Sequence, residues 1–530
     1  MTIRTSVFAL LSLSLCLPGA PNDVLTWHND DARTGQNLHE TVLTPGNVNA
    51  KTFGKLFAIE VDGKVDAEPL YVHQLEIPRY GRRNVVFIAT EHDSLYAFDA
   101  DTGAQYWHVR LLKAGEGPSD NRNCGQVTPE IGVTSTPVID RHSGSHGIIY
   151  LVAMSKNSKG RYFQRLHALD VSTGREQSGS PVEIRATYPG IGAVSQNGAE
   201  IFDPKQYEER AALLLVHGVL YISWAFHCDI GPYNGWVIAY DTGTLKQSAV
   251  LNFTPNGKDG AVWQSGAGPA ADPQGNVYIL AANGTFDTAL NPRGFPLHGD
   301  YGNAFLKLSL SNRTLSIVDY FATFDVVKQN EEDGDLGSSG PVVLPDVKDA
   351  AGRIWHLAVG AGKDGNIYLV NRDDMSKFNP EQNRVYQEVP NVLEGRPLAG
   401  TRGGGAYFDG RIYYGARDQP IREFRFQDGK LLSQPSSATK ETFVYPGATP
   451  SISANGPRNA ILWAVENVNH TVLHAYDATN LSHELYNSNQ AAGGTDHFGA
   501  NNKFITPMIA NGKVYIGTAD GVGVFGLLSK

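Results

Sequence analysis

The chain has 530 residues; 41% are hydrophobic, enough for a large core, and only 18% are charged, too few for long disordered charged tails. Acidic residues outnumber basic ones 54 to 44, a formal net charge of −10, which disfavours a nucleic-acid coat because phosphate binding wants a basic surface. The 57 glycines, with 23 tyrosines and 22 phenylalanines against 4 methionines, suit an all-β protein with many tight turns.

The first element in chain order is a secretory leader. Arg4 supplies the positive end, residues 7–17 form an apolar stretch too short to span a bilayer, and Pro18-Gly19-Ala20 offers a cleavage region. An uncleaved anchor is the alternative. Residues 1–20 are therefore assigned as signal peptide, and no later segment is long and apolar enough to make the mature chain a membrane protein. Cys16 leaves with the leader, and Cys124 and Cys228 remain. In an exported chain such a pair favours a disulfide, with two free thiols as the alternative.

One pattern then recurs along the chain: an apolar residue, an aromatic, and usually another apolar residue. It centres on Phe87, Tyr150, Tyr221, Tyr278, Trp355, Tyr413, Trp463 and Tyr515, at spacings of 50 to 77 residues. Each occurrence reads as a strand, often after a Gly turn such as Asp409-Gly410 or Asn511-Gly512. A second element carries a proline before a short apolar run, at Pro69, Pro137, Pro269, Pro341, Pro450 and Pro507. A third ends on an aspartate that opens a turn, at Asp99, Asp170, Asp241 and Asp477. Each unit thus predicts a four-stranded antiparallel sheet, which cannot bury both faces alone. Radial packing of such sheets does bury them, so the fold class is all-β, an eight-bladed β-propeller. The last unit stops before its fourth strand, and residues 53–61 (FGKLFAIEV) are expected to supply it and close the ring. Residues 21–52 then form an N-terminal extended segment and 53–530 a single propeller.

The AFDADTG element followed by Trp107 resembles the tryptophan-docking repeat of quinoprotein propellers, the pyrroloquinoline quinone (PQQ) dehydrogenases and their PQQ-like relatives. The resemblance spans essentially the whole mature chain and implies fold more than activity. It also implies a site. GKDGNIYLVNRD is similar to the segment that sets a Lys or Arg against the quinone, which maps to Lys363. AANGTFD resembles the segment whose Asn binds calcium, which maps to Asn283, and HCDIGPYNGWVIAYD the one with a carboxylate calcium ligand, which maps to Asp229 with one residue of slack. EDGDLGSSGPVVL maps the catalytic base to Asp335, and VWQSGAGPAAD maps the indole floor of the quinone to Trp263 with a two-residue offset.

The residue types suit that chemistry. Carboxylate and amide oxygens hold calcium, a cation stabilises the reduced quinone, an indole offers a stacking face, and a carboxylate takes the substrate's hydroxyl proton. Each position also has a plainer reading: Asn283-Gly284 and Lys363-Asp364-Gly365 are good turns, residues 331–335 are an acidic loop, and Trp263 is a candidate for core packing. His92, His227, His298, His470 and His497 fall on predicted rim loops without zinc-ligand spacing.

The chain departs from the family pattern at three places. The adjacent cysteine pair over the quinone is missing, Gly334 stands where the family has Trp, and Gly337 where it has a second carboxylate. The leading reading is a PQQ- and calcium-dependent dehydrogenase-like oxidoreductase of alcohols or sugars with a separate electron acceptor; the alternatives are a non-catalytic envelope or extracellular binding or scaffold propeller, which these departures favour, and a glycan-binding propeller using Tyr233 and Tyr301. All three place the chain outside the cytoplasm, secreted or periplasmic. The polar run from Trp27 to Asn37 either braces the propeller or reaches a partner. Insertions at 113–132, 186–209 and 283–303 mark the expected functional rim.

Overall fold

A computed structural model describes residues 22–393, 399–468 and 470–529; the expected signal peptide lies outside them. The repeat units fold as expected into successive antiparallel sheets. The first contains Leu70–Ile77, Gly81–Thr90, Ser94–Asp99 and Gln105–Arg110 in spatial order. The prolines of the second element each stand directly before the first strand of a sheet, where no ladder N–H is required.

The recurring aromatic occupies one register position. Phe87, Tyr150, Tyr221, Tyr278, Tyr413, Trp463 and Tyr515 lie opposite Leu70, Val138, Leu214, Ala270, Ala406, Ser451 and Met508, each at the start of its sheet's first strand. The fifth unit corrects the expectation. There Val359 faces Val342, and Trp355 belongs to a small two-stranded hairpin with residues 347–348. That inserted hairpin brought an aromatic near the expected position without placing it in the ladder. The aspartates act as read: Asp99 Oδ1 accepts from Asp101 N and Thr102 N, and Asp170 Oδ1 from Ser172 N and Thr173 N. Trp107 Nε1 donates to Val171 O of the next sheet at 3.2 Å, above Gly174, where an added Cβ would lie 2.8 Å from the indole.

The core consists of hydrophobic layers between consecutive sheets. Leu70 and Phe87 pack with Ile139 and Ile149 of the second sheet, Tyr150 with Leu220 and Ile238 of the third, and so on in chain order. The final layer joins Tyr515 and Val524 of the last sheet to Tyr71 and Val86 of the first, so the succession is circular. Closure is also made by backbone hydrogen bonds: Phe53–Glu60 pairs antiparallel with Gly521–Leu527, which puts the expected N-terminal strand into the last sheet.

The segment from Val24 to Asn37 runs through the middle and bonds to the first strand, or its leading residue, in every sheet. Val24 exchanges bonds with Tyr71, and Leu25 O receives Ile139 N. Asp31 O, Ala32 O, Thr34 O and Gly35 O accept from Ala271, Val343, Tyr407 and Ile452 N–H groups. Asn37 Nδ2 donates to Ile509 O, and Arg33 reaches Leu213 O and Pro269 O. The segment therefore braces the ring. Arg33 is fully buried and also donates to Thr26 Oγ1 and Trp27 O. Gly404 makes room for this segment, since a Cβ there would lie 2.5 Å from the Trp27 ring.

Replacing Arg33 by Met leaves four acceptors unpaired in the interior and removes the charge facing Asp30, Asp31 and Glu68. The expected loss is about 3–5 kcal/mol, read as a lower midpoint in guanidinium unfolding monitored by tyrosine and tryptophan fluorescence; an unchanged midpoint would contradict the bracing role.

Candidate functional site

The candidate residues come from loops that lead into first strands and from turns between second and third strands. Asp335 lies in the crossing from the fourth sheet to the fifth, and Leu336 N is held by Asn303 Oδ1 at 2.7 Å. Lys363 follows the next turn, where Gly362 lets the two loops touch: a Cβ on it would lie 2.6 Å from Leu336 Cα. Lys363 N then donates to Asp335 O at 3.1 Å. The Lys363 ammonium sits between two carboxylates, 2.7 Å from Asp333 Oδ1 and 3.4 Å from Asp335 Oδ2.

Burial pushes the Asp335 carboxyl up, Lys363 pulls it back, and Asp333 and Asp229 add to the rise; the net direction is upward. Burial lowers Lys363, but Asp335 and Asp333 outweigh it and hold the amine above its ordinary value. The pair therefore stores opposite charges in a site with little water.

Cys124 and Cys228 form a disulfide, Cα–Cα 5.4 Å, joining the 113–132 insertion to the loop that carries Asp229 across 104 residues of sequence. Cys228 and Asp229 both have positive φ, 48° and 55°, so the bond and the Tyr233 hydroxyl, 3.0 Å from Asp229 Oδ1, pin a turn that most residues avoid. Gln126, Phe226, Cys228, Asp229, Trp263, Asp333, Asp335 and Lys363 border one cavity of about 140 Å³. Asp229, Trp263, Asp335 and Lys363 are thus brought together. Asn283 stands at the edge: its N lies 3.3 Å from Asp335 Oδ1, its Nδ2 donates to Asp333 Oδ1 at 2.8 Å, and its buried Oδ1 has no hydrogen-bond partner among the described residues.

A wider cavity of about 600 Å³, lined also by Asn283, adjoins through Asp229 and Asp333. Its walls carry Asp259 and Glu331, the aromatic rings of Tyr233 and Phe286, and one cation, Lys258. Burial raises the Asp259 carboxyl; Lys258 opposes this and Asp229 reinforces it.

The residues do not fit a bound PQQ. The inner cavity is well below the roughly 300 Å³ at which small-molecule sites begin. Trp263 is already packed, with Phe504 edge to face at 5.4 Å and Phe226 and Tyr445 in the same cluster. A tricarboxylate would meet Asp229, Asp333 and Asp335, while Lys363 is already shared by two of them. The expected calcium ligands Asp229 and Asn283 both line the wider cavity, but no group of three acidic, His or Cys side chains is arranged for a metal among the described residues, and the Lys363 ammonium already lies between the neighbouring Asp333 and Asp335.

The departures noted in the sequence have steric causes. A Cβ at Gly337 would lie 2.4 Å from Ala282 N, which leaves no room for a carboxylate, and one at Gly334 would lie 3.0 Å from Gln329 Cβ on the short helix Val326–Glu331. Sequence reasoning missed Asp333, whose only signal was its place in an acidic loop. It also missed Phe226 and Phe504, which carry no signal at all.

No protein-family model and no curated protein matches the chain. Solved structures do. The quinohemoprotein alcohol dehydrogenase ADHIIG of Pseudomonas putida superposes with a TM-score of 0.65 at 13% identity, over 96% of this chain and 81% of that one. The quinohemoprotein alcohol dehydrogenase of Comamonas testosteroni gives 0.63 at 13%, over 96% and 80%. A europium-containing methanol dehydrogenase gives 0.59 at 12%, over 96% and 99%. The chain is thus structurally similar to the propellers of quinoprotein alcohol and methanol dehydrogenases, and at these identities the likeness shows the β-propeller fold alone.

Lys363→Met removes the charge that lowers Asp335. A buried aspartate whose folded value is raised binds its proton more tightly than the unfolded chain does, so stability falls as pH rises from the ordinary value through the raised one. The variant is expected to lose about 3 kcal/mol at pH 8 and less at pH 5, measured by thermal unfolding. Adding Asp335→Asn should remove most of the pH dependence.

Proposed function

We propose that this chain is an exported eight-bladed propeller of four-stranded antiparallel blades, closed by its N-terminal strand, that binds ligands without a cofactor. Residues 53–530 form the one domain, preceded by the segment 21–52, of which residues 24–37 brace the ring, and by the leader 1–20. The observation that carries this reading is the small inner chamber: about 140 Å³, walled by packed aromatics and by three aspartates that face the single Lys363. The Cys124–Cys228 disulfide supports an oxidising compartment, secreted or periplasmic. No helix among the described residues is long and apolar enough to cross a membrane.

The ligand seat is the 600 Å³ cavity outside that chamber. Asp229, Asp259, Glu331 and Asp333 oppose the single Lys258, and Tyr233 and Phe286 supply flat apolar walls. This combination selects a cationic group by charge and by cation–π contact. An envelope partner would present such a group on a basic side chain.

A second reading keeps a PQQ- and calcium-dependent oxidoreductase of alcohols or sugars, with Asp335 as base, Lys363 and Trp263 at the quinone, Asp229 and Asn283 as calcium ligands, and a separate electron acceptor. What favours it is that Asp229, Trp263, Asp335 and Lys363 border one cavity, with the unpartnered Asn283 Oδ1 beside it.

One titration series separates the readings. Spermidine is expected to bind saturably and citrate not, with affinity falling at least about tenfold in Asp259→Asn/Asp333→Asn and on adding salt. PQQ, in calcium or in EDTA, is expected to leave tryptophan fluorescence unquenched. Saturable calcium-dependent quenching at micromolar PQQ would reverse the order of the two readings.

A further inference from the structure

The largest cavity among those described lies away from this site, in a groove of about 720 Å³ between the second and third sheets. The 186–209 insertion builds it, and neither reading above uses that insertion. The chain leaves the second sheet at Val182–Glu183, and Ile184 N continues the ladder onto Gln164 O. Residues Thr187 and Ile201 pair as a hairpin, and Phe202 N returns to Ala186 O. Phe202 is then locked by stacking on Tyr207 at 5.1 Å and by an edge contact to Trp224 at 4.8 Å. Ile184, Ala186, Ile201, Phe202 and Val250 give the groove an apolar floor that is held in place by the core.

The rim has the opposite sign from the rest of the molecule. Arg161, Arg185 and Lys205 face Glu183 and Asp203, a positive balance in a chain of net charge −10. Both guanidinium groups converge on one oxygen, Glu183 Oε1, Arg161 Nη2 at 3.2 Å and Arg185 Nη2 at 2.8 Å. One carboxylate cannot satisfy two guanidinium groups, so donors remain for an incoming anion. Lys205 stands at the other side, its Nζ 5.8 Å from the Tyr162 ring centroid.

Recognition here belongs to side chains. The backbone groups along the groove are already committed, Ile184 N to Gln164 O, Phe202 N to Ala186 O, and Arg185 O to Gln247 Nε2. A peptide strand adding to a sheet edge would find no free ladder there. An apolar floor, a volume in the range of small-molecule sites and a cationic rim together specify one kind of ligand. We propose that this groove binds an amphiphilic carboxylate, with the hydrocarbon body on Ile184, Ile201 and Phe202 and the carboxylate between Arg161, Arg185 and Lys205. The site is independent of the ligand seat proposed above, and the two can fail separately.

The test is isothermal titration of the mature protein with dodecanoate, dodecanol and dodecyltrimethylammonium, each kept below its micellar range. Dodecanoate is expected to bind one per chain with a Kd between about 1 and 100 µM. Arg161→Gln/Arg185→Gln should weaken it at least about tenfold without moving the thermal midpoint, and Ile201→Trp should abolish it by filling the groove. Lys205→Glu, on an exposed side chain, is the milder variant should the double one misfold, and it too should weaken binding. Equal binding of the alcohol or the cation, dodecanoate binding that survives Ile201→Trp, or no saturable heat with dodecanoate would each overturn the proposal.

Discussion

The ring depends on one strand of chain that does not belong to any repeat. The first strand of each sheet turns an edge of peptide groups toward the axis, and buried peptide groups must find partners. A radial assembly of this size leaves a gap there that side chains alone do not fill. Residues 24–37 fill it, bonding in turn to sheets from Tyr71 round to Ile509. Arg33 is central because its guanidinium carries several of these bonds at once, which a backbone amide cannot do. Its burial is expensive, and the cost is offset by Asp30, Asp31 and Glu68 around it.

This brace determines where chemistry can occur. With the middle of the ring occupied, ligand access falls to one set of loops: those leading into first strands carry Trp263 and Asp335, and those between second and third strands carry Asp229 and Lys363. Close backbone contact at Gly362 and Gly337 presses them together. The result is a small chamber with a Lys bridging two aspartates, opening onto a wider acidic cavity. The overall shape is similar to the propellers of quinoprotein dehydrogenases, and in this chain Phe226 and Phe504 pack around Trp263. A shared propeller does not by itself carry over a site's chemistry.

Much of this was legible before any coordinates. Seven of the recurring aromatics take the same register position, because an apolar residue paired to the start of an inner strand is dictated by alternation and by the layer it must fill. Trp355 broke the pattern because the inserted hairpin at 347–355 placed a similar tripeptide four residues early, and a local motif cannot report its own pairing. Asp229, Trp263, Asp335 and Lys363 were picked out by motif resemblance and not by any local rule, and they come together at one cavity. Asn283 was placed only at the edge of that group.

Sequence by itself determined the strand content, the repeat and the closing strand, expected at 53–61 and found at Phe53–Glu60. These follow from local rules: alternation, turn chemistry and the need of each sheet face for cover. Only the tertiary structure decided that residues 24–37 brace the axis, that Cys124 and Cys228 pair, that Lys363 lies between Asp333 and Asp335, and that the chamber beside Trp263 is too small and too acidic for a tricarboxylate. Volume and electrostatics at a site are sums over residues far apart in the chain, and Phe504 closing on Trp263 from 241 positions away leaves no trace in either local sequence.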